Sequence, residues 1–524
     1  MIEDLPQTEH QAVSQAVPLR TDPKSFVVQG FAGLRSAVFP IVAVYFSMRS
    51  TGSLAFVIAI LAGLVIIAFI AGAAYLRWRK FTYQVNREDI RVESGIISRT
   101  ARSVPFERIQ DVSLEQSLIP RLFGLVSVKF ETGSGGGEDI SLQFLAEAEG
   151  EKLRELVRAR KDGVAETEGA AEIVKAALEI AEVAARDESK TLFAMDGRRL
   201  FTFGLFEFSL AVFAVVAGLA QYADWFVDFE IWDTDVWREV ANEQQGWLSG
   251  LGQLGQIMGV LLGIVGLFVV GSATGLVRTF LRDWGFILED TPRGFRRRRG
   301  LLTKTDVVMP AHRVQAVKIG TGILRHRFGW QSLNFVSLAQ DSGSSNHTVA
   351  PFAKPGETNP IIKAAGFVPP DDTLDWHRAS AAYRTDSMVL GSALFLVAAI
   401  PVAIFAPAIV VLIPLALAAV MAFANYYSWR FHRHAIDRLQ LFATRGLFAP
   451  RTQIASRIKL HSVELSQGPI AQRRGYATLH LGLAGGTFSI PGVPTDRARE
   501  VRQAIIESIA ETDFSRLGGP GTGR

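Results

Sequence analysis

Six apolar segments constrain the fold of this chain more than any other feature. A helix needs about 20 apolar residues to cross a bilayer. Segments close to that length occupy residues 31–48, 54–76, 201–222, 250–276, 387–406 and 408–427. Several contain no charged residue, although charged residues make up 20% of the chain. Burying all six inside a soluble protein is the less favoured interpretation, so the sequence predicts six transmembrane helices in three pairs.

Basic residues flank these segments on one side and predict their orientation. Arg77, Arg79 and Lys80 follow the second segment, and arginines also follow the fourth and the sixth. The loop at 223–247, between the third and fourth segments, is acidic instead. Since positively charged loops stay in the cytoplasm, we expect a multi-pass protein of the cell membrane. Both termini and all other long polar regions are then cytoplasmic, and the acidic loop at 223–247 is outside.

Two ionisable residues lie within the apolar segments, Arg35 in the first and Glu207 in the third. Intramembrane charges are candidates for function. Both lie near the cytoplasmic ends of their segments, so reaching the interface or pairing with each other is the alternative interpretation.

A short motif occurs three times outside the apolar segments. It reads PFERIQDV at 105–112, PAHRVQAV at 310–317 and SRIKLHSV at 456–463. Two glycines 29 residues apart frame each motif, the pairs being Gly95 and Gly124, Gly300 and Gly329, and Gly446 and Gly475. A basic residue stands 13 residues after each first glycine, and these residues are Arg108, Arg313 and Lys459. The ungapped spacing indicates one type of domain present three times.

The polar regions have the sequence texture of β-strands closed by a helix. Residues 82–104 alternate apolar and polar side chains, which is typical of strands with one buried face. Residues 125–145 read as a hairpin with a glycine-rich turn, and the other copies have similar hairpins. Terminal helices are expected at 146–161 and 495–513, with a short one at 359–367. Each copy is therefore predicted to be a small β-barrel or sandwich with a C-terminal helix.

The residues of this repeat resemble a known family. The pattern G-[IL]-[IL], P-x-x-R-[IV]-Q-x-V and R-x-[FL]-G after a pair of membrane segments resembles bacterial pleckstrin-homology-like (type 2) domain membrane proteins. The three-copy layout is similar to the YdbT/YdbS-like family. This resemblance implies an α+β integral membrane protein with six transmembrane helices in three pairs, each pair followed by a cytoplasmic PH-like β-barrel. The third copy departs from the pattern, because SRIKLHSV lacks the proline and the glutamine.

The expected domain boundaries follow from the segments and the repeat. They are a polar tail at 1–30, helix pair 1 at 31–76, PH-like domain 1 at 77–161, a helical linker at 162–199, helix pair 2 with its external loop at 200–277, PH-like domain 2 at 278–368, a linker at 369–386, helix pair 3 at 387–427, PH-like domain 3 at 428–513 and a disordered tail at 514–524. Within the first linker, alanine and glutamate at helical spacing predict a helix at 168–189.

The motif has a structural and a functional interpretation. Pro105, Ile109 and Val112 have the spacing of one helical turn, with proline at its start and a strand entered at Val112. In the structural interpretation Ile109 fills the barrel, and Arg108 and Gln110 bind nearby carbonyls or carboxylates. In the functional one, the motif's basic residues, Arg108, Arg313 and Lys459, contact lipid headgroups or a partner domain.

The densest basic run is Arg296-Arg297-Arg298-Arg299. On a strand, Arg296 and Arg298 share one face and Arg297 and Arg299 the other. Because unpaired charges are rarely buried, the run is predicted to form an exposed edge or hairpin. A solvated surface and contact with anionic headgroups both fit it. Membrane lipids and another membrane protein are thus the expected partners, and the lack of interleaved aromatic residues disfavours nucleic acid.

Motifs for catalysis or for cofactor and metal binding are missing from the sequence. Cysteine is absent, which excludes disulfides and thiolate zinc sites. Gly250-x-Gly252-x-x-Gly255 matches a dinucleotide fingerprint formally, but no strand precedes it, and close packing of membrane helices explains it better. His432 and His434 have no third ligand nearby in the sequence. We therefore expect no cofactor, no metal and no enzymatic activity.

The sequence favours a non-enzymatic multi-pass membrane protein. Its three cytoplasmic PH-like domains would serve as a lipid-proximal interaction or assembly platform. The alternative is a transporter or lipid-handling membrane protein, which requires polar residues along a helix face. Arg35, Glu207 and stretches of small residues are the features that favour this alternative.

Overall fold

The computed structural model describes residues 18–31, 33, 53–86, 88–96, 98–132, 140–161, 189–209, 252–341, 344–405 and 407–512. They form two compact units. The first contains Met1–Ala181, Met195–Phe286 and Arg298–Val307, and the second contains Glu182–Ala194, Ile287–Arg297 and Val308–Arg524. The first repeat lies in the first unit, the third repeat in the second, and the second repeat contributes strands to both.

The first repeat has six strands, in two antiparallel sheets, followed by a helix. Its elements are α1 Ser53–Lys80, β1 Thr82–Val85, β2 Asp89–Ser94, β3 Thr100–Pro105, a 3-10 helix Phe106–Arg108, β4 Ile109–Gln116, α2 Leu118–Leu122, β5 Leu125–Thr132, β6 Ile140–Ala146 and α3 Glu147–Lys161. β1, β2 and β3 are neighbours in that order, as are β6, β5 and β4. Ile90 and Phe130 of the strands pack with Leu153 of α3 in one buried cluster. The predicted terminal helix at 146–161 is thus confirmed.

The second repeat has the same order of elements. They are β7 Lys190–Ala194, α4 Gly197–Phe206, α5 Gly252–Asp283, β8 Ile287–Thr291, β9 Gly294–Arg299, β10 Lys304–Met309, a 3-10 helix Ala311–Arg313, β11 Val314–Gly320, α6 Ile323–Arg327, β12 Gln331–Asp341, β13 Ser344–Ala353 and α7 Pro355–Ala364. The short terminal helix starts at Pro355, four residues earlier than the predicted 359.

The third repeat completes the pattern. Its elements are β14 His377–Arg378, α8 Ala381–Phe405, α9 Ala408–Trp429, β15 Arg433–Ile436, β16 Gln440–Arg445, β17 Arg451–Ser456, a 3-10 helix Arg457–Lys459, β18 Leu460–Ser466, α10 Pro469–Arg473, β19 Tyr476–Leu483, β20 Gly486–Pro494 and α11 Thr495–Ala510. Leu479 and Ile490 of the strands pack against Val501 and Ile505 of α11, which confirms the predicted terminal helix.

The repeated glycines occupy backbone conformations that other residues rarely adopt. Gly95, Gly300 and Gly446 have φ angles of 114°, 112° and 102°, in hairpins that precede the motif. A Cβ added to Gly300 would lie 1.8 Å from the carbonyl oxygen of Thr303. The fixed spacing in the sequence therefore reflects a turn that only glycine makes without strain.

Three of the described helices are long and apolar enough to cross a bilayer. They are Ile257–Asp283 of α5, Ala381–Phe405 and Ala408–Trp429. α1 covers the second predicted segment. Six spans in pairs are not confirmed, because most of the first and third segments lies outside the described residues. Arg35, residues 168–188 of the helix predicted at 168–189, and the loop at 223–247 lie there too.

The prediction of a continuous helix over 201–222 is wrong at its start. α4 begins at Gly197 and ends at Phe206, with Glu207 as its C-terminal cap, and residues 207–209 are not helical. The Glu207 backbone lies against α5, where a Cβ on Gly275 would come within 1.3 Å of the Glu207 carbonyl oxygen. The Glu207 backbone thus occupies space that is open because residue 275 is a glycine. Glu207 therefore caps the end of α4.

The sheet of each repeat also incorporates residues that precede the long helices. Leu19 and Tyr83 exchange two backbone hydrogen bonds of 2.8 and 2.9 Å. In the same way β7 pairs with β8, and β14 pairs with β15. These strands lie in stretches expected to be a tail or linkers, so the sequence did not reveal them. Consequently, the chain enters the membrane segment from the same sheet to which it returns.

Replacing Gly300 by alanine is expected to lower the free energy of unfolding by about 1–3 kcal/mol, because the side chain forces a strained backbone. Thermal unfolding of the detergent-solubilised full-length protein measures the loss. Gly356→Ala is the matched control. Gly356 is an exposed glycine of α7 with no atom within 4 Å of an added Cβ, and its replacement should not destabilise. Equal melting temperatures for the two variants would contradict the assignment.

Candidate functional site: edge-strand joints and juxtamembrane helices

The repeated motif forms the same local structure in all three copies. Pro105, with φ near −60°, precedes the 3-10 helix Phe106–Arg108, and β4 starts at Ile109 rather than at Val112. Ile109 is only 1% exposed, so the prediction that it fills the barrel is confirmed. The equivalent turns of the other repeats also lead directly into strands, Ala311–Arg313 into β11 and Arg457–Lys459 into β18.

The strand after one motif pairs with the strand before the next motif. We call each such pair of strands a joint. In the first joint, β4 and β10 are antiparallel, with Thr305 opposite Glu115. In the second joint, β11 and β17 are antiparallel, with Arg451 opposite Gly320. Sheet edges of consecutive repeats are thereby covered by each other, which removes exposed hydrogen-bonding edges.

Both joints have the same register. Thr305 and Arg451 stand five residues after the first glycine of their repeats, and Glu115 and Gly320 stand 20 residues after theirs. These residues are direct partners in the two joints. Because a one-residue slip would turn every side chain to the opposite face, the shared register marks the joint as a specific interface that occurs twice.

Polar side chains of the first repeat support the first joint. Arg154 of α3, 6% exposed, forms an ion pair with Glu151 and reaches Asp306 of β10 at 3.5 Å. Arg154 is thus compensated by carboxylates on both sides, as a buried charge requires. This contact fixes α3 against the joint as well as against its own barrel.

Lys459 supports the second joint. Its Nζ donates hydrogen bonds to the carbonyl oxygens of His312, at 3.1 Å, and Val314, at 2.7 Å. Burial lowers the pKa of Lys459. Ala316 and Val336 of the second repeat share a buried cluster with Ala455, so the joint is also closed by apolar packing. The motif's basic residue in the third repeat is therefore an interface residue.

The motif's basic residues in the first and second repeats, Arg108 and Arg313, have different surroundings. Arg108 is exposed and Arg313 is half-buried. In the second repeat Gln315, the equivalent of Gln110, donates to the Arg313 carbonyl oxygen at 3.2 Å. The side chain of Gln110 itself lies outside the described residues. The two glutamines and three basic residues are thus not one shared binding surface.

The basic run of β9 alternates as predicted but is not fully exposed. Arg297 is 3% exposed and donates to the carbonyl oxygen of Thr348 at 3.2 Å. Arg299 forms a 3.1 Å ion pair with Asp283, whose side chain is fully buried. The expectation of an exposed edge is wrong for these two residues, because a carbonyl and a carboxylate compensate their charge. Arg296 is half-buried and Arg298 exposed.

A surface that was not predicted from the sequence lies just after β4, β11 and β18. The short helices α2, α6 and α10, here called the juxtamembrane helices, expose large apolar side chains beside arginines. Leu122 is 78% exposed, Ile323 65% and Ile470 47%. Arg121, Arg325 and Arg473 stand in the last turns. The sequence contained this signal, since apolar and basic residues occur together in the stretch before the second glycine of each repeat.

Each juxtamembrane helix lies next to an end of a long apolar helix. Arg121 donates to the Leu301 carbonyl oxygen at 3.2 Å, and the Leu301 amide donates to Leu281 of α5. Ile323 lines one groove with Ala424 and Ser428 of α9. Just after α10, Arg474 forms a 3.0 Å ion pair with Asp386 in the second turn of α8.

Comparison with known proteins agrees with this architecture. The bacterial PH domain family matches residues 36–161, 240–358 and 392–509, which together are well over half of the chain. The chain belongs to this family. It is 26% identical over 314 residues to UPF0699 transmembrane protein YdbT of Bacillus subtilis (strain 168), covering 58% of each chain. It is a membrane protein with three PH-like domains.

A second relative and the structural comparison complete the findings. The chain is 29% identical over 87 residues to UPF0699 transmembrane protein YdbS of the same organism, covering 16% of this chain and 52% of that one. It thus spans a little over half the length of the curated relatives it matches. No solved structure matches the chain.

The third PH-like domain buries a histidine close to the strand that precedes α8 and in the strand that follows α9. His434 of β15 is 1% exposed and lies opposite His377 of β14, with ring centroids 5.8 Å apart. Burial, followed by the nearby His377 and Arg497, lowers the pKa of His434 to about 4. Across the described ranges, no group of side chains is suited to holding a metal ion.

Lys459→Met is expected to weaken the second joint, because two PH-domain carbonyls lose a charged donor worth about 1–3 kcal/mol. Amide hydrogen exchange in β11 and β17 should accelerate about tenfold or more. Lys363→Met, at an exposed lysine of α7, removes the same charge without touching the joint and should leave these strands unchanged. Unaltered exchange in the Lys459 variant would show that the bonds do not hold the joint.

The third PH-like domain is expected to lose stability as the pH falls from about 6.5 to about 4. The unfolded chain binds a proton on His434 near the ordinary pKa of 6.5, whereas the folded chain resists until about 4. The loss approaches about 3 kcal/mol and is complete at the lower value. Melting temperatures between pH 7 and 4 measure it. His434→Gln should flatten the curve, and His461→Gln, at an exposed histidine, should not. Identical curves for both variants would refute the assignment.

Proposed function

We propose that this protein is a non-enzymatic membrane scaffold whose three PH-like domains lie on the cytoplasmic leaflet and provide a platform for assembly. The observation that carries the proposal is the set of juxtamembrane helices. In every repeat, exposed apolar side chains and arginines stand beside the end of a long apolar helix. Apolar and basic residues in such a position bind the boundary between headgroups and acyl chains.

Aromatic residues at the ends of the long helices support the same placement. Trp284, directly after α5, is 44% exposed and follows Arg282. Arg384 lies 4.9 Å from the ring of Trp429 at the end of α9, and Trp78 stands among Arg77, Arg79 and Lys80. Indoles favour the interface, and the excess of basic residues favours the cytoplasmic side.

The joints support the assembly part of the proposal. Each one pairs strands of two consecutive repeats in a backbone ladder, and such a contact needs no catalytic chemistry. Arg298 is the member of the arginine run that remains exposed. It supplements the juxtamembrane helices as a contact for anionic headgroups, which attract basic residues by about 1 kcal/mol each.

Nitroxide labels test the membrane contact, and the cysteine-free chain accepts single labelled cysteines without background. Leu122→Cys and Ile323→Cys, labelled in bilayers containing anionic phosphatidylglycerol, should be relaxed more by oxygen than by a water-soluble nickel complex. Leu439→Cys is the matched control. Leu439 is a 65% exposed leucine that follows β15, at the end of that strand away from α9, and its label should favour nickel.

The labels also define what would refute the proposal. Nickel accessibility at residues 122 and 323 equal to that at 439 would place the juxtamembrane helices in water. Replacing phosphatidylglycerol by phosphatidylcholine should reduce the oxygen preference, because the adjacent arginines then lose their attraction to the surface. A preference independent of lipid charge would remove the arginines from the proposal.

A further inference from the structure

The strands β3 and β18 are equivalent in position to strands that form the joints. Among the described strands, however, each of them pairs with one neighbour only. β3 precedes the first 3-10 helix, as β10 and β17 precede the second and third. β18 follows the third 3-10 helix, as β4 and β11 follow the first and second. β3 pairs with β2, and β18 pairs with β19. Within the described part of the chain, β3 and β18 are therefore left without the joint partner that their equivalents have, and we call them the spare strands.

The spare strands expose positions that the joints bury. Ser103 of β3 and Ile454 of β17 each stand eight residues after the first glycine of their repeat. Ser103 is exposed, whereas Ile454 is fully buried. Glu464 of β18 is exposed, while its equivalent Ser113 is 8% exposed. An edge of this kind presents a row of backbone donors and acceptors that can pair with another strand.

The register of the two joints predicts how the spare strands would pair. Transferring it to β3 and β18 places Ala101 opposite Leu465, the position at which Thr452 faces Ile319 in the second joint. It also places Arg102 opposite Glu464. Opposite charges facing each other across an antiparallel pair are stabilising, so the transferred register is electrostatically matched.

The motif's basic residue gives a third, independent match. Lys459 bonds the carbonyl oxygens of His312 and Val314 in the preceding repeat. Arg108 is its equivalent in the first repeat, has no preceding repeat in the described chain and is exposed. In a transferred joint, Arg108 would face the corresponding carbonyls of Ile458 and Leu460.

We propose that β3 of one copy pairs with β18 of a second copy, in the register of the internal joints. The occupant is a second copy because the two spare edges are the two halves of a joint that the chain already makes twice. This inference rests on the proposed assembly role and names the partner. Such a head-to-tail contact is heterologous, so it produces rings or open chains of copies. Confinement to one membrane raises the effective concentration of the two edges.

Disulfide trapping tests the contact in full-length protein. Two differently tagged copies, one with Ala101→Cys and one with Leu465→Cys, are co-expressed and oxidised in their native membranes. Residues opposite each other in an antiparallel pair are within disulfide distance, so a cross-linked product carrying both tags is expected. Thr452→Cys with Ile319→Cys in one chain is the positive control. Ala101→Cys with Glu464→Cys is one residue out of register and should give little product.

Charge reversal provides a second test of the contact between β3 and β18. Arg102→Glu or Glu464→Arg should each lower the cross-linked fraction about fivefold, and the two combined should restore it. Arg108→Met should also lower it. These variants keep the backbone of both exposed edges and do not alter the buried core.

Two outcomes would overturn the proposal. The first is a positive control that cross-links while the in-register pair does not, which would mean that the charged edges keep copies apart. The second is a bond within one chain in the Ala101→Cys/Leu465→Cys double variant, which would mean that the two edges meet in a single molecule. Neither result depends on the nitroxide labels, which report the membrane contact of the juxtamembrane helices alone.

Discussion

Backbone hydrogen bonds between the segment that precedes the long helices of a repeat and the first strand after them are the interaction on which the rest of the structure depends. They occur at Tyr83, between β7 and β8 and between β14 and β15. In the first and third repeats a tryptophan adds a second connection, Trp78 to the Thr21 carbonyl and Trp429 to the Ala379 carbonyl. Among the described residues, the sheet of each repeat is therefore connected to the long helices through the segment that precedes them as well as through the strand that follows them.

The sequence revealed those parts of the fold that depend on local constraints. Glycines at positive φ, alternating strands and amphipathic terminal helices are each determined by a few neighbouring residues, and the repeat presented them three times. The entering strands were not predictable in the same way. β14 contains two residues and Leu19 forms a single bridge, which is too short for an alternating pattern to appear. Their existence depends on a partner strand located more than 50 residues away, beyond a membrane segment.

Charge was the property most easily misread from the sequence. The four arginines of β9 were expected on an exposed edge, yet Arg297 and Arg299 are compensated by Thr348 and Asp283. The partner of Arg297 lies 51 residues away along the chain, and that of Arg299 lies 16 residues away. Neither separation marks a pair in advance. The same applies to Glu207, whose placement in a membrane helix failed because glycine in a distant helix accommodates its backbone. A formal count of charges thus locates polar regions, but tertiary contacts determine which of them remain available to lipid.

The departures of the third repeat from the motif become intelligible at the joints. Loss of the proline leaves the 3-10 helix intact, because Ser456 adopts the same extended backbone, with φ near −73°. Lysine in place of arginine still reaches two carbonyls of the preceding repeat. The same position is exposed in the first repeat, which has no preceding repeat among the described residues. Its surroundings therefore follow from the order of domains rather than from the residue type.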